Sequence, residues 1–469
     1  MDASIQERLH LILQQQQRAY AAERNPSLAV RRDRLQRLIA MTQKHALALA
    51  DAISKDFGHR ARQESLLLDI FSVESGAKHA LKHLRGWMKP RRVPTALHFL
   101  PASNRLIRQP LGVVGIVSPW NYPYYLSMAP ALAALAAGNR VMLKPSEATP
   151  ETSTLMARIV AEFFAPDEMQ VVTGDADLGR AFTHLPFDHL FFTGSTAVGR
   201  LVAQAAAQNL TPVTLELGGK SPALVDRGAP LQQTAERLAF GKLLNAGQTC
   251  VAPDYLLVPE EMVEPLAKAL TDTVRRFYPS LDKNPDFSSI ASPRHFARLQ
   301  GLLDDAKARG ARLIPTHDEI PGGTKMVPHL LLQVNEDMAV MREEIFGPLL
   351  PIVPYRQVDE ALAYINRHER PLAMYWFGTD KDRRAQALTQ THAGGVTVND
   401  CIWHLGQEDQ PFGGVGASGI GAYHGEFGFR TFSKEKPVFI QSRFAGTKLF
   451  HPPYGKTFDR LLALLKSIV

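Results

Sequence analysis

Two side chains in this sequence carry the chemistry of covalent catalysis, a thiol at Cys250 and a carboxylate at Glu216. Cys250 closes the segment NAGQTC at 245–250, at the end of a helical run and just before Pro253. A thiol on a loop beside a helix end can be exposed and have its pKa tuned. A buried structural thiol is the competing reading, and Cys401, in VNDC at 398–401, receives it. Glu216 lies in TLELGGK at 214–220, at the end of an apolar strand and ahead of two glycines. Burying a carboxylate there is costly unless it has a task or a partner. Burial also raises its pKa into the range of a general base. Pairing with Lys220 is the alternative.

Other segments supply weaker signals. FTGSTAVG at 192–199 follows a strand and opens a helix, so Gly194, Ser195 and Gly199 surround a helix N-terminus able to receive a pyrophosphate. It is not the G-x-G-x-x-G fingerprint. Lys144 and Glu147, in KPSE, end another strand where a lysine and an acid can hold ribose hydroxyls, or else form a solvated turn. Asn121, set between prolines in PWNYP at 119–123, has an amide suited to stabilising an oxyanion if it is held rigidly. EEIFGP at 343–348 and PFGG at 411–414 complete the set.

The elements that must position these groups alternate between strand and helix. An amphipathic helical pattern runs from Arg31 to Ile53, and an extended stretch covers Asn104–Pro119 with a buried strand at Leu111–Val117. A helix is predicted at Leu126–Ala137 and a strand at Arg140–Leu143. The next helix opens with Thr149 as N-cap and Pro150 in the first helical position. Strands follow at Met169–Val172, His189–Thr193 and Pro212–Leu217, with a helix near 196–208. After Gly218 the pattern resumes with strand Pro222–Val225, helix Leu231–Leu244, strand Tyr255–Val258 and helix Glu261–Phe277. This is the mark of an α/β protein with parallel sheets.

The chain has 469 residues, enough for two or three domains and a large core without staples. Its net charge of +7 is scattered and no binding motif accompanies it, so no nucleic-acid partner is expected. Two cysteines make no disulfide framework, which fits a reducing, cytoplasmic setting. The apolar run Leu126–Ala137 is too short to span a bilayer, so no transmembrane segment is expected. No metal site is expected. The final segment, Phe458–Val469, is amphipathic and is expected to dock as a terminal helix rather than touch a membrane.

Taken together, PWNYP, KPSE, FTGSTAVG, LELGGK, GQTC, EEIFGP and PFGG resemble the aldehyde dehydrogenase superfamily, in its order, from about Asn104 to Lys436. Each segment is weak alone and the ordered set is specific. The interval from Glu216 to Cys250 is 34 positions (250 − 216), the family's usual spacing. The sequence is most similar to the coniferyl aldehyde dehydrogenases and the related class 3 enzymes for fatty and aromatic aldehydes. The pointers are GQTCVAPDY at 247–255, GVGASGIGAYHGEFGFRTFSKEKPV at 414–438 and PPYGK at 452–456.

The resemblance implies a Rossmann-type cofactor domain at 1–99 and 114–217 and an α/β catalytic domain at 218–416. It also implies a small β bridging and oligomerisation segment at 100–113 and 417–445, a tail at 446–469, and a homodimer. It implies oxidation of an aldehyde to its acid with NAD or NADP. Cys250 would form a thiohemiacetal whose oxyanion is held by the Asn121 amide and the Cys250 N–H. Loss of hydride to the cofactor would leave a thioester, hydrolysed by water that Glu216 activates. Lys144 and Glu344 would hold the riboses, Ser195 the pyrophosphate and Phe346 the nicotinamide ribose, with backbone contacts from Trp120. Glu147 favours NAD, since its charge repels a 2′-phosphate, and NADP use stays open. Tyr122, Leu126, Thr249, Val251 and Phe412 would line the substrate tunnel, which suits a phenylpropenal or an alkyl chain equally. A class 3 enzyme for medium- or long-chain aliphatic aldehydes is the alternative. A non-catalytic relative would have lost the cysteine or the base, and both are present.

Overall fold

The computed structural model describes residues 3–468. The strands form two large sheets and a third, smaller one. The first has six strands in the order Gly419–Ile420, Val213–Glu216, His189–Thr193, Val113–Val117, Arg140–Lys144 and Met169–Val171. All are parallel except Gly419–Ile420. The second has seven strands, Arg312–Pro315, His329–Leu332, Leu349–Tyr355, Tyr255–Pro259, Pro222–Val225, Ala373–Phe377 and Gly395–Val398. Only Arg312–Pro315 is antiparallel there. The central strands are buried on both faces, which is why they read as continuous apolar runs rather than as alternation.

Helix Tyr125–Ala137 is buried along its whole length and ends at Gly138, whose φ is 95°. The predicted strand Leu111–Val117 begins later, at Val113. The extended stretch before it is a separate strand, Ser103–Pro110, and belongs to the third sheet. That antiparallel sheet joins Arg91–Val93, Ser103–Pro110 and Ser433–Ile440. Two segments therefore sit elsewhere than the sequence reading put them. Arg91–Val93 pairs into the small sheet rather than with the cofactor domain. Gly419–Ile420 pairs with Val213–Glu216, and helix Gly425–Thr431 packs beside Tyr125–Ala137. Both segments are too short for periodicity to show their partners.

Two further expectations fail for physical reasons. Thr149 precedes helix Pro150–Phe163, but its side chain does not cap it. The free N–H groups of Glu151 and Thr152 donate instead to Asp56, each at 2.9 Å, from a helix far back in sequence. The terminal helix Lys456–Ile468 is not docked, and none of residues 456–467 is buried. Phe458 makes ring contacts with Phe450 and Tyr454 of the preceding turn.

Candidate active site

Helix Leu231–Leu243 runs toward the thiol and then breaks into a tight turn, Leu244–Gly247. Asn245 and Ala246 there have φ of 51° and 52°, a left-handed conformation that side chains resist. Buried hydrogen bonds hold it. Glu64 accepts the Asn245 N–H at 3.1 Å. Asn245 Nδ2 donates to the carbonyls of Asn121 (3.0 Å) and Gln248 (3.3 Å). Gln248 Nε2 donates to the carbonyls of Asn245 (2.9 Å) and Ser289 (3.0 Å). The turn that carries Cys250 is thus tied to the segment that carries Asn121. Asn121 Nδ2 donates back to the Gln248 carbonyl at 3.1 Å, which uses one of its two amide N–H groups.

Beneath Asn121 lies a buried ion pair that sequence reasoning missed. Arg60 donates to the Asn121 carbonyl at 3.1 Å and meets Asp69 at 3.2 Å, and both charged side chains are fully buried. Asp69 Oδ1 accepts the N–H groups of Tyr124 and Tyr125, each at 3.1 Å, and so caps helix Tyr125–Ala137. Asp69 lies in a π-helical segment, Ser65–Phe71. That is an irregularity frequent near functional sites, and nothing in the sequence SLLLDIF announces it. A single buried acid among leucines was the one available signal.

Two cavities meet at Cys250. The larger, about 260 Å³, is walled by Trp120, Asn121, Gly194, Ser195, Glu216, Glu344 and Phe346 among others. The smaller, about 190 Å³, contains Tyr122 and Thr249. Leu126, Cys250 and Phe412 line both. Tyr122 and Thr249 are joined by a 2.6 Å hydroxyl–hydroxyl bond. Val251 corrects the tunnel set. Its side chain is fully buried in the core and its carbonyl accepts the Tyr375 hydroxyl, so it faces neither cavity.

The electrostatics of the larger cavity are those of groups left without partners. Both carboxylate oxygens of Glu216 are buried with no hydrogen-bond partner among the described residues, and burial holds its pKa well above the usual carboxylate value. Lys220 does not pair with it, but bonds Asp254 and the carbonyls of Val340 and Glu343. Burial, reinforced by the nearby Glu344 and Glu216, pushes the Cys250 thiol up to about 12, while the N–H groups of Cys250 and Val251 pull it back. Val251 therefore contributes to the site through its backbone. Burial also raises Glu344, to about 8, with Asp254 adding to the shift. Cys401 is wholly buried, its thiol raised by burial, and lines neither cavity.

The family model for the aldehyde dehydrogenase family matches residues 2–438. The chain belongs to the aldehyde dehydrogenase family. It is 50% identical to a probable coniferyl aldehyde dehydrogenase of Pseudomonas aeruginosa, over 97% of this chain and 95% of that one. It is 46% identical to a coniferyl aldehyde dehydrogenase of a Pseudomonas species, over 98% and 97%. A solved structure of Staphylococcus aureus AldH in a substrate-bound state superposes with a TM-score of 0.92 at 36% identity, covering 97% of this chain and 99% of that one. The reaction is therefore oxidation of an aldehyde with NAD or NADP.

The residues of this aldehyde dehydrogenase fit such a dinucleotide. Helix Thr196–Ala207 presents its N-terminus beside the larger cavity, where Ser195 accepts the Val198 N–H at 3.4 Å. The Thr193 hydroxyl on the same wall is buried without a hydrogen-bond partner among the described residues. Val198 and Leu201 leave an exposed apolar ledge on that helix. Gly199, in its first turns, packs so closely on Leu217 that a Cβ would lie 2.6 Å away. Gly218 is needed where it stands, since a Cβ there would lie 2.1 Å from a Glu344 oxygen. Phe346 has φ of 52° and meets Trp120 edge-on at 5.5 Å. Lys144 and Glu147 form an ion pair of 2.5 Å at the end of strand Arg140–Lys144, the lysine buried and the glutamate half-exposed.

Proposed function

We propose that this enzyme oxidises arylpropenals of the coniferyl aldehyde type, with NAD as the preferred cofactor. The observation that carries the reading is the junction at Cys250. A thiol opens on one side to a cavity with an unpartnered carboxylate and dinucleotide-binding groups, and on the other to a narrow, aromatic-walled tunnel. The names of the relatives at 46% and 50% identity support the aryl substrate.

In this reading Cys250 Sγ attacks the aldehyde carbon, giving a thiohemiacetal. The free N–H of the Asn121 amide and the Cys250 N–H hold the oxyanion. When bound, the cofactor supplies the hydride acceptor. Glu216 then takes a proton from water, which hydrolyses the thioester on Cys250. Its isolation from cations keeps its pKa high enough for that task. Lys144, Ser195, Glu344 and Phe346 hold the dinucleotide, and Glu147 beside Lys144 repels a 2′-phosphate.

The same reading places 1–99, apart from strand Arg91–Val93, and 114–217 in a cofactor domain and 218–416 in a catalytic domain, and makes the small sheet a homodimer contact in the cytoplasm. The exposed Phe439, Ile440 and Phe444 on and beside that sheet support the dimer. No helix among the described residues is long and apolar enough to cross a membrane. The test is kcat/KM for coniferyl aldehyde, benzaldehyde and octanal with each cofactor. Coniferyl aldehyde with NAD should lead. Preference for octanal would move the enzyme to the aliphatic class.

A further inference from the structure

The tunnel is not apolar throughout. Its wall, which also contains Cys250, includes Gln407 and Glu408, on the loop that leads to Phe412. Glu408 is largely enclosed, yet no cation pairs with it among the described residues. Its Oε2 accepts the Gly425 N–H at 3.1 Å, its one hydrogen bond there. Two glycines make the room. A Cβ on Gly76 would lie 2.8 Å from Glu408 Oε1, and one on Gly425 would lie 2.0 Å from the Glu408 carbonyl oxygen. The second carboxylate oxygen thus remains an acceptor in a narrow, largely aromatic slot.

A carboxylate oxygen with spare capacity in such a slot binds a ligand that brings a donor. An alkyl chain brings none. No histidine hydrogen-bonds Glu408 among the described residues, and burial pushes His424 down to about 3 and His404 to about 4, so neither supplies a cation. His424 Nε2 is already engaged by the Tyr125 hydroxyl at 3.0 Å.

We infer that Glu408 is a specificity-determining residue that accepts a hydrogen bond from a hydroxyl at the far end of an arylpropenal whose aldehyde lies at Cys250. This rests on the arylpropenal reading above and names the group on the ring that is recognised. Phenol O–H groups conjugated to an enal are strong donors, and a carboxylate acceptor strengthens the bond. A site built to bond a hydroxyl discriminates against the analogue that lacks it.

The experiment compares 4-hydroxycinnamaldehyde, 4-methoxycinnamaldehyde and cinnamaldehyde as substrates of the full-length wild type, Glu408→Gln and Glu408→Ala. Gln keeps an acceptor for the Gly425 N–H and puts a donor where the free oxygen was; Ala removes both. The wild type should favour the hydroxylated aldehyde over cinnamaldehyde in kcat/KM by on the order of tenfold to a hundredfold, the range of a charge-assisted hydrogen bond. The 4-methoxy compound, which has no donor, should behave like cinnamaldehyde. Both variants should bring the ratio down by about tenfold. An equal ratio in all three proteins would overturn the assignment, as would a fall of all three substrates together, which marks a merely structural role. If the wild type used octanal and none of the arylpropenals, the substrate reading itself would fall, and the assignment with it.

Discussion

Asp69 and Glu216 are both fully buried carboxylates on the two sides of the same asparagine segment, and the protein treats them in opposite ways. Asp69 has Arg60 at 3.2 Å and two backbone N–H groups at 3.1 Å. Glu216 has no hydrogen-bond partner among the described residues. Burial raises both, but for Asp69 the guanidinium and the N–H groups pull the shift back, and for Glu216 nothing does. The floor of the site is tied together by an ion pair and hydrogen bonds, and the walls of its cavity are left open. A partnered group fixes geometry, whereas an open one keeps bonding capacity for a ligand or a proton. The same division separates Cys401, packed in the core, from Cys250, which opens into the cavity.

The largest effect should come from the open thiol. Cys250→Ala should abolish aldehyde oxidation while leaving NAD binding nearly intact by fluorescence titration. Cys401→Ala should retain activity. Inactivation that tracked alkylation of Cys401 would break the division at once.

Glu216→Gln should lower turnover by on the order of 10²–10⁴-fold, the usual worth of a positioned base. A burst of NADH, up to about one per site, should still appear, with acyl-enzyme on Cys250 visible by intact-mass spectrometry. Loss of turnover with neither burst nor adduct would assign the carboxylate an earlier role, deprotonating the thiol. Wild-type turnover would make Glu216 structural. In the wild type, turnover should rise with pH as Glu216 loses its proton. Stability should show the opposite sign. The raised pKa means that the folded state holds more protons than the unfolded one above about pH 4.5, so Glu216 weakens the fold progressively as pH climbs toward the folded-state value. Glu216→Gln removes that slope, and urea midpoints of the two proteins should diverge as pH rises.

Asp69→Asn tests the partnered side. Removing one member of a buried ion pair costs about 3–5 kcal/mol, because Arg60 would be left without its partner. The urea midpoint should fall accordingly, whereas Glu216→Gln should not destabilise at neutral pH. Equal losses in the two variants would erase the distinction between floor and wall.

The open wall was legible in the sequence and the floor was not, for a physical reason. The candidate groups of the wall sit at the ends of regular elements, where apolar strands and helix starts mark their positions. Glu216 and Ser195 were placed that way, and the strands His189–Thr193 and Pro222–Val225 were read with their observed bounds. The floor is built from long-range pairs. Arg60 reaches Asn121, and Glu64 reaches Asn245 across 181 positions. No local pattern encodes such a pairing, and the left-handed turn it holds uses no glycine at Asn245 or Ala246. Val251, placed in the tunnel by family resemblance, faces the core because position in a motif does not fix side-chain direction on an irregular turn.

Glu147 lies between the two classes, and its effect should be the smallest. It has a partner, Lys144, at 2.5 Å, yet its side chain is half-exposed while the lysine is buried. The lysine lowers the Glu147 pKa despite partial burial, so the carboxylate is charged at neutral pH. A charge so placed can accept ribose hydroxyls and oppose a 2′-phosphate, but Lys144 offsets part of its field. Glu147→Gln should therefore raise the use of NADP relative to NAD by about tenfold, or roughly 1.4 kcal/mol, measured as the ratio of kcat/KM values. Solvent screening of a half-exposed charge limits the effect to that order. The shift should shrink in high salt, since the repulsion it removes is electrostatic. A salt-independent change would mean that the substitution had moved Lys144 instead. An unchanged ratio would mean that Glu147 belongs with the partnered groups of the floor and serves only to hold the lysine.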